Sequence, residues 1–357
     1  MEENYSALVE QNGEGGFKSY RVPGLVTVSN GEVLIYYEGR GEEGDCRTLL
    51  GRRSLDGGRS FLQRQILVQQ QGAELIHNPM MIAGPEGRVW LFWCQDYHRL
   101  FVRESWDNGE HFGPTKELTQ VIEGFRSIWP VTLWAISPGH GLFLREGRLV
   151  IPLWLSRGKN AHLPACFACL FSDDLGQNWK CGSIVQAGEG IGDPTEASVA
   201  QREDGMLLAT LRHEIPGVRL RAFCQGRPEK WSRPWLDQNL PDPVCSGALL
   251  ALKDGRLAFA NCAWGDEAAL ERQRRGEAIR WSLDARQNLT LRLSADGGST
   301  WSRGICLERE GGGCDLGQTK DGSHILCFYE QGWSDGNCIY NKTLTVAGIP
   351  LSSFGSD

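Results

Sequence analysis

The sequence predicts an all-β chain folded as a six-bladed propeller with Asp-box turns, and three observations carry that prediction. The first is a short pattern, Ser-x-Asp-x-Gly-x-x-aromatic, that occurs four times. Its copies are Ser54-Leu-Asp56-Gly-Gly58-Arg-Ser-Phe61, Ser105-Trp-Asp107-Asn-Gly109-Glu-His-Phe112, Ser172-Asp-Asp174-Leu-Gly176-Gln-Asn-Trp179 and Ser294-Ala-Asp296-Gly-Gly298-Ser-Thr-Trp301. Asp followed two residues later by Gly makes a tight turn, because the carboxylate accepts nearby N–H groups and Gly tolerates positive φ. The aromatic pins the turn to the body beneath it. One copy is an ordinary turn; four are a repeated supersecondary unit.

The second observation is spacing. Successive copies begin 51, 67 and 122 residues apart, and the last gap spans two periods. A degenerate copy sits inside it, Cys224-Gln-Gly226-Arg-Pro228-Glu-Lys-Trp231, which keeps the frame and the terminal Trp. A period of roughly 50–70 residues suits a four-stranded antiparallel blade, and radial repetition of blades protects their edges. The 357 residues accommodate about six such units.

The third is the run of short apolar segments after Gly-containing turns. Val33–Tyr37, Val89–Trp93, Arg148–Trp154 and Leu257–Ala260 follow Asn30-Gly31, Glu86-Gly87, Glu146-Gly147 and Asp254-Gly255, a hairpin pattern. Hydrophobic residues make up 41% of the chain, which also carries 13 Trp and 45 Gly, enough core and enough turns for one large β domain over 1–357. Only Asp266–Ala278 has helical composition, with Glu, Ala, Leu and Arg crowded together. No Pro- or Ser-rich linker divides the chain.

Net charge is −7, which argues against nucleic acid as a partner and leaves room for a local cationic pocket. No segment has the length and apolarity of a membrane span. The polar stretch Met1–Phe17 lacks the apolar region of a secretory signal, so the expected setting is cytoplasmic unless a leader has been removed. The 12 cysteines are scattered. Cys166-Phe-Ala-Cys169 lacks the second pair or the histidines that a zinc site needs, so these are expected to be core cysteines, with no metal and no cofactor.

Several charged residues stand at fixed offsets from the repeats. Arg21 lies in Tyr20-Arg21-Val-Pro-Gly24; Arg40 and Asp45 follow the first strand in Tyr37-Glu-Gly-Arg40-Gly-Glu-Glu-Gly-Asp45. Glu196 lies in Asp193-Pro-Thr-Glu196, Arg212 ends Leu207-Leu-Ala-Thr-Leu-Arg212, and Arg286 opens Arg286-Gln-Asn-Leu-Thr-Leu-Arg-Leu. Taken singly, each reads as a solvated surface charge. Together with the four turns, Pro138-Gly-His-Gly141 and Cys327-Phe-Tyr-Glu330, they resemble the sialidase (neuraminidase) superfamily from Tyr20 to about Glu330.

The resemblance implies that Arg21, Arg212 and Arg286 clamp a substrate carboxylate, with Arg219 as a local rival to Arg212. Planar guanidinium groups suit that task, giving bidentate, charge-assisted bonds without losing their charge. By the same resemblance Glu330 steadies Arg21, Arg40 is a further substrate contact, Asp45 is the general acid and Glu196 the base or charge stabiliser. The implied substrate is an acidic glycan, a sialoside or a related 2-keto-3-deoxy sugar acid. One departure stands out. Where the superfamily has a nucleophilic tyrosine, this chain reads Gly312-Gly313-Cys314-Asp315-Leu316, and there is no tyrosine between Tyr97 and Tyr329. Three routes remain open: Glu196 acting as base on water, a replacement nucleophile such as Cys314 or Asp315, or a site that only binds. A propeller glycosidase or lyase acting on uronic-acid polysaccharide is a further alternative.

Overall fold

The structure is a computed structural model; it describes residues 3–41, 47–159, 161–188, 190–214, 217–263, 286–334 and 340–355. Asp45 and the helix-like stretch Asp266–Ala278 lie outside these residues. Six antiparallel sheets are arranged as the blades of a propeller. The first blade comprises Ser19–Thr27, Val33–Arg40, Arg47–Ser54 and Gln65–Gln69, paired in that order from the axis outward. The second runs through Ile76–Ala83, Val89–Gln95, Arg99–Ser105 and Lys116–Glu117. The third has an inner edge split into Leu133–Ile136 and Leu142–Phe143, both paired with Leu149–Gly158, then Ala161–Ser172 and Lys180–Cys181. Pro194–Gln201 and Ala248–Ala251 open the fourth and fifth blades.

The ring closes through a pairing distant in sequence. Tyr5–Gln11 hydrogen-bonds to Thr343–Pro350 and forms the outer strand of the sixth blade, whose inner strand is Gly311–Gln318. No local signal in Tyr5–Gln11 specifies this partner. Closure leaves no blade pair open and buries apolar faces between neighbours. Trp90, Phe92, Trp134 and Leu153 fill the seam between the second and third blades, for example.

The four repeated turns are built alike. In the first, Ser54 Oγ donates to Asp56 Oδ1 (2.8 Å) and accepts from Gly58 N (2.7 Å), while Asp56 Oδ1 accepts from Ser60 N (3.0 Å). Ser294, Asp296, Gly298 and Thr300 repeat the geometry at 2.8, 2.7 and 2.8 Å. The glycines have φ between 77° and 92°, which excludes most side chains. Phe61, Phe112, Trp179 and Trp301 each pack into the seam with an adjacent blade, and Trp231 of the degenerate copy does the same. Every turn ends the third strand of its blade. Antiparallel alternation therefore puts them all on one face of the ring.

Asp296→Ala is expected to lower stability by about 1–2 kcal/mol, the lower part of the range for unpaired N–H groups because water reaches this exposed turn. Affinity for an acidic sugar should not change. Thermal melts set beside a binding titration check this; lost affinity at an unchanged melting temperature would contradict it.

A short helical turn, Thr119–Ile122 continuing into Glu123–Arg126, connects the second and third blades, where composition gave no sign of helix. It has no side-chain cap, and Ile122 and Phe125 anchor it in the core, so packing rather than propensity fixes it. Cys166 and Cys169 lie three apart on one strand and so face opposite sheet surfaces, packing into different seams. That geometry prevents a shared ion. The ten described cysteines are all free. No helix among the described residues is long and apolar enough to cross a membrane.

Candidate active site

Four inner strands carry an irregularity at the same height, near their starts. The register slips between Arg21 and Gly24, His77 and Met80, Pro194 and Ala197, and Gly311 and Cys314. Val22 and Asn78, inside two of these bulges, have φ of 59° and 51°. A bulge re-aims the side chains beside it and commonly borders active sites. Here the bulges hold Glu196 and Gly313 and lie next to Arg21, at the end of the ring opposite the Asp-turns.

At that end is a cavity of about 150 Å³ lined by Arg21, Val22, Pro23, Pro138, Glu196, Arg212, Ser246, Arg286, Gly313, Cys314 and Glu330. Five charged residues singled out in the sequence thus share one hollow, reaching it from three kinds of position. Arg21 and Glu196 come from inner strands, Arg212 and Glu330 from the ends of second strands, and Arg286 from the segment before Leu289–Ser294. A larger hollow of about 640 Å³, among Glu146, Asp204, Gly205 and Gly226, lies on the opposite, turn-bearing face, and none of the clustered arginines reaches it.

Two ion pairs organise the cavity wall. Arg21 Nε donates to Glu330 Oε1 at 2.7 Å, and Glu330 also accepts from Val22 N and Gly313 N. Arg212 Nη1 donates to Glu196 Oε2 at 2.8 Å, while its Nη2 lies 3.5 Å from Glu214. Burial would raise both carboxyl groups, but the arginines outweigh it. Arg212, with Arg286 and Arg219, lowers Glu196; Arg21, with Arg286, lowers Glu330. Arg286 is held above its ordinary value, first by the Cys245 thiol and then by Glu330, Cys262 and Glu196. The lining holds three cations against two carboxylates. Glu214, outside the lining but 3.5 Å from Arg212, offsets part of that excess; the three guanidinium groups facing a confined hollow still favour an anion.

Arg219 does not line the cavity. It is wholly buried, paired with Asp242 at 2.7 Å, and its Nη1 also donates to the Cys245 carbonyl. Arg40 also lies outside the lining, its Nε and Nη2 both on Glu38 Oε2 at 2.9 and 2.7 Å. Arg47 joins the same carboxylate at 3.5 Å, and Asn78 N donates to its other oxygen. Burial would raise Glu38, yet Arg40 and Arg47 hold it down to about 2. A carboxylate depressed in the folded chain stabilises it above the unfolded value and loses that contribution as pH falls through the folded one. Melting temperature is therefore expected to drop between about pH 4.5 and pH 2, and Glu38→Gln to flatten that part of the profile.

Cys314 and Asp315 are turned to structural tasks. Cys314 Sγ donates to the Ala260 carbonyl at 3.5 Å, and a Cys327 contact together with burial raises its thiol well above the ordinary range. Asp315, 1% exposed, accepts from His140 Nδ1 (2.7 Å), Leu25 N (2.9 Å) and Leu316 N (2.9 Å). Neither group is free to attack a substrate in the cavity.

Three features had no signal in the sequence reading. Glu38 and Arg47 form the ion cluster that holds Arg40. Tyr97, on the turn after Val89–Gln95, packs its ring against His77 at 4.1 Å in a tilted arrangement and adjoins Trp154 and His162 at 5.9 and 5.3 Å. Burial raises its hydroxyl above the ordinary phenol range, and the charges of Arg47, Glu38, Arg40 and Glu196 act on it as well. Ser246, just before Ala248–Ala251, supplies a hydroxyl to the wall.

A family model described as "BNR repeat-like domain" matches residues 31–342. A sialidase of Bacteroides fragilis is 23% identical over 338 residues, covering 85% of this chain and 57% of that protein. Sialidase-4 of Homo sapiens is 30% identical over 199 residues, covering 47% of this chain and 40% of that protein. The chain thus spans about half the length of these curated relatives. Among solved structures, Hadza microbial sialidase Hz136 superposes with a TM-score of 0.77 at 19% identity, over 98% of this chain and 69% of that one. The intramolecular trans-sialidase from Ruminococcus gnavus gives 0.69 at 14% identity, over 96% of each chain. At these identities the superpositions speak for the fold. With the family match over most of its length, this chain belongs to the BNR repeat-like family, among the six-bladed propellers of sialidase type.

Proposed function

We propose that the protein is an exo-acting glycoside hydrolase that releases a terminal acidic sugar, sialic acid or a related 2-keto-3-deoxy sugar acid. The observation that carries this is the convergence of Arg21, Arg212 and Arg286 with Glu196 and Glu330 on one cavity at the end of the ring. The three guanidinium groups hold the sugar's carboxylate, which sits on the anomeric carbon and so places that carbon beside Glu196. Charge-assisted forks fix orientation as well as affinity. Glu196, kept ionised by Arg212, faces the positive charge that develops at the anomeric centre and accepts a proton from the attacking group. Asp45 is the proposed acid that protonates the leaving oxygen.

With glycine at 313, a covalent tyrosyl intermediate has no phenol to form on, and water is the proposed nucleophile. The reaction then inverts the anomeric configuration. The missing side chain also favours a second reading, an acidic-glycan-binding propeller without turnover. A panel of fluorogenic α-ketosides and uronides separates the two. Release from a sialoside or related ketoside supports the hydrolase; binding without release from any member supports the second reading.

A further inference from the structure

We infer that Ser246 is the residue that holds the attacking water, in the volume a side chain at position 313 would occupy. This rests on the hydrolase reading above and assigns a further residue to it. A β carbon built on Gly313 would stand 2.9 Å from Ser246 Oγ and 3.7 Å from the Glu330 carboxyl carbon. The serine hydroxyl therefore faces the space that a side chain at 313 would fill, and a water held in that space stands between Ser246 and the substrate.

The surrounding groups narrow the choice. Arg21 and Glu330 hold each other, Glu196 holds Arg212, and Cys314 is turned to Ala260. Ser246 has no hydrogen-bond partner among the described residues, although it lines the cavity. A hydroxyl both donates and accepts, so it fixes a water while leaving that water's second proton for a base. The cavity's 150 Å³ exceeds the roughly 30 Å³ share of one water several times over. In the step, the water oxygen bonds to the anomeric carbon and its proton passes to the Glu196 carboxylate. The bond to the leaving oxygen breaks with its electron pair on that oxygen, which takes a proton from Asp45. Ser246 is a positioning residue throughout.

The test compares the full chain with Ser246→Ala, Ser246→Thr, Gly313→Ala and the Ser246→Ala/Gly313→Ala double variant on a fluorogenic sialoside that the wild type cleaves. Ser246→Ala is expected to lower kcat about tenfold, the worth of one good hydrogen bond, with KM and melting temperature unchanged. Ser246→Thr keeps the hydroxyl and should recover most of the loss. Gly313→Ala pushes a methyl group against the hydroxyl and should lower kcat similarly, and the double variant should be no worse than either single one. The product should be inverted, and a 2,3-difluoro sialic acid probe should leave the protein mass unchanged. Wild-type kcat in Ser246→Ala, or a probe adduct on Ser246, overturns the inference while leaving the hydrolase reading standing. A wild type that cleaves no acidic glycoside overturns both.

Discussion

Glu196→Gln is expected to lower kcat by roughly 10²–10⁴-fold, the usual contribution of a positioned base. Sugar-acid affinity should hold or rise slightly. The argument begins with the bulge between Pro194 and Ala197, which places Glu196 at the cavity wall against Arg212. A glutamine there still accepts from Arg212, so the fold should survive. What it removes is a negative charge beside three arginines, which leaves the clamp more positive for an incoming carboxylate. It also removes the group that takes a proton from water. Single-turnover kinetics paired with calorimetric titration of a non-hydrolysed sugar-acid analogue measure both halves. Unchanged kcat would remove Glu196 from the mechanism. The wild-type pH profile offers an independent check. Arg212 holds Glu196 below the ordinary carboxylate value in the free protein, so the acid limb of kcat/KM is expected to lie below about pH 4.5.

The division between what sequence disclosed and what it did not follows the range of the interactions. The Ser54–Asp56–Gly58 bonds span four residues, so residue identity and spacing reveal them without knowledge of the fold. The same holds for hairpins led by Asn30-Gly31 or Asp254-Gly255. Ring closure depends on Tyr5–Gln11 meeting Thr343–Pro350, a pairing across the whole chain that no local pattern encodes. The site divides in the same way. Arg21, Glu196, Arg212, Arg286 and Glu330 sit in short motifs that resemble known relatives. Ser246 matters only because Gly313, far along the chain, has no side chain to fill the space beside it. Glu38 would read as one more surface acid but for the turn of Asn78 N toward it and the approach of Arg47 from the next strand.

Arg286→Lys is expected to weaken binding of a sugar acid by about 10–100-fold, the equivalent of one charge-assisted bond at about 1.5–3 kcal/mol. The number of positive charges is the same in both proteins, so the loss would come from geometry. A guanidinium presents a planar fork that meets two carboxylate oxygens at once, whereas an ammonium is a compact point with a larger hydration cost on entering a confined hollow. The position raises the stakes further. Arg286 acts on Cys245, a buried thiol lowered by its Cys262 contact and then by Arg286 itself. A shorter-reaching lysine would leave both the substrate carboxylate and that thiol less well matched. Arg40→Lys makes the contrast, because Arg40 is committed to Glu38 outside the cavity and its loss should cost less affinity. Titration of both variants with 2,3-dehydro sialic acid tests the pair. Equal affinities for wild type and Arg286→Lys would mean that Arg286 holds no carboxylate, and the clamp would then reduce to Arg21 and Arg212.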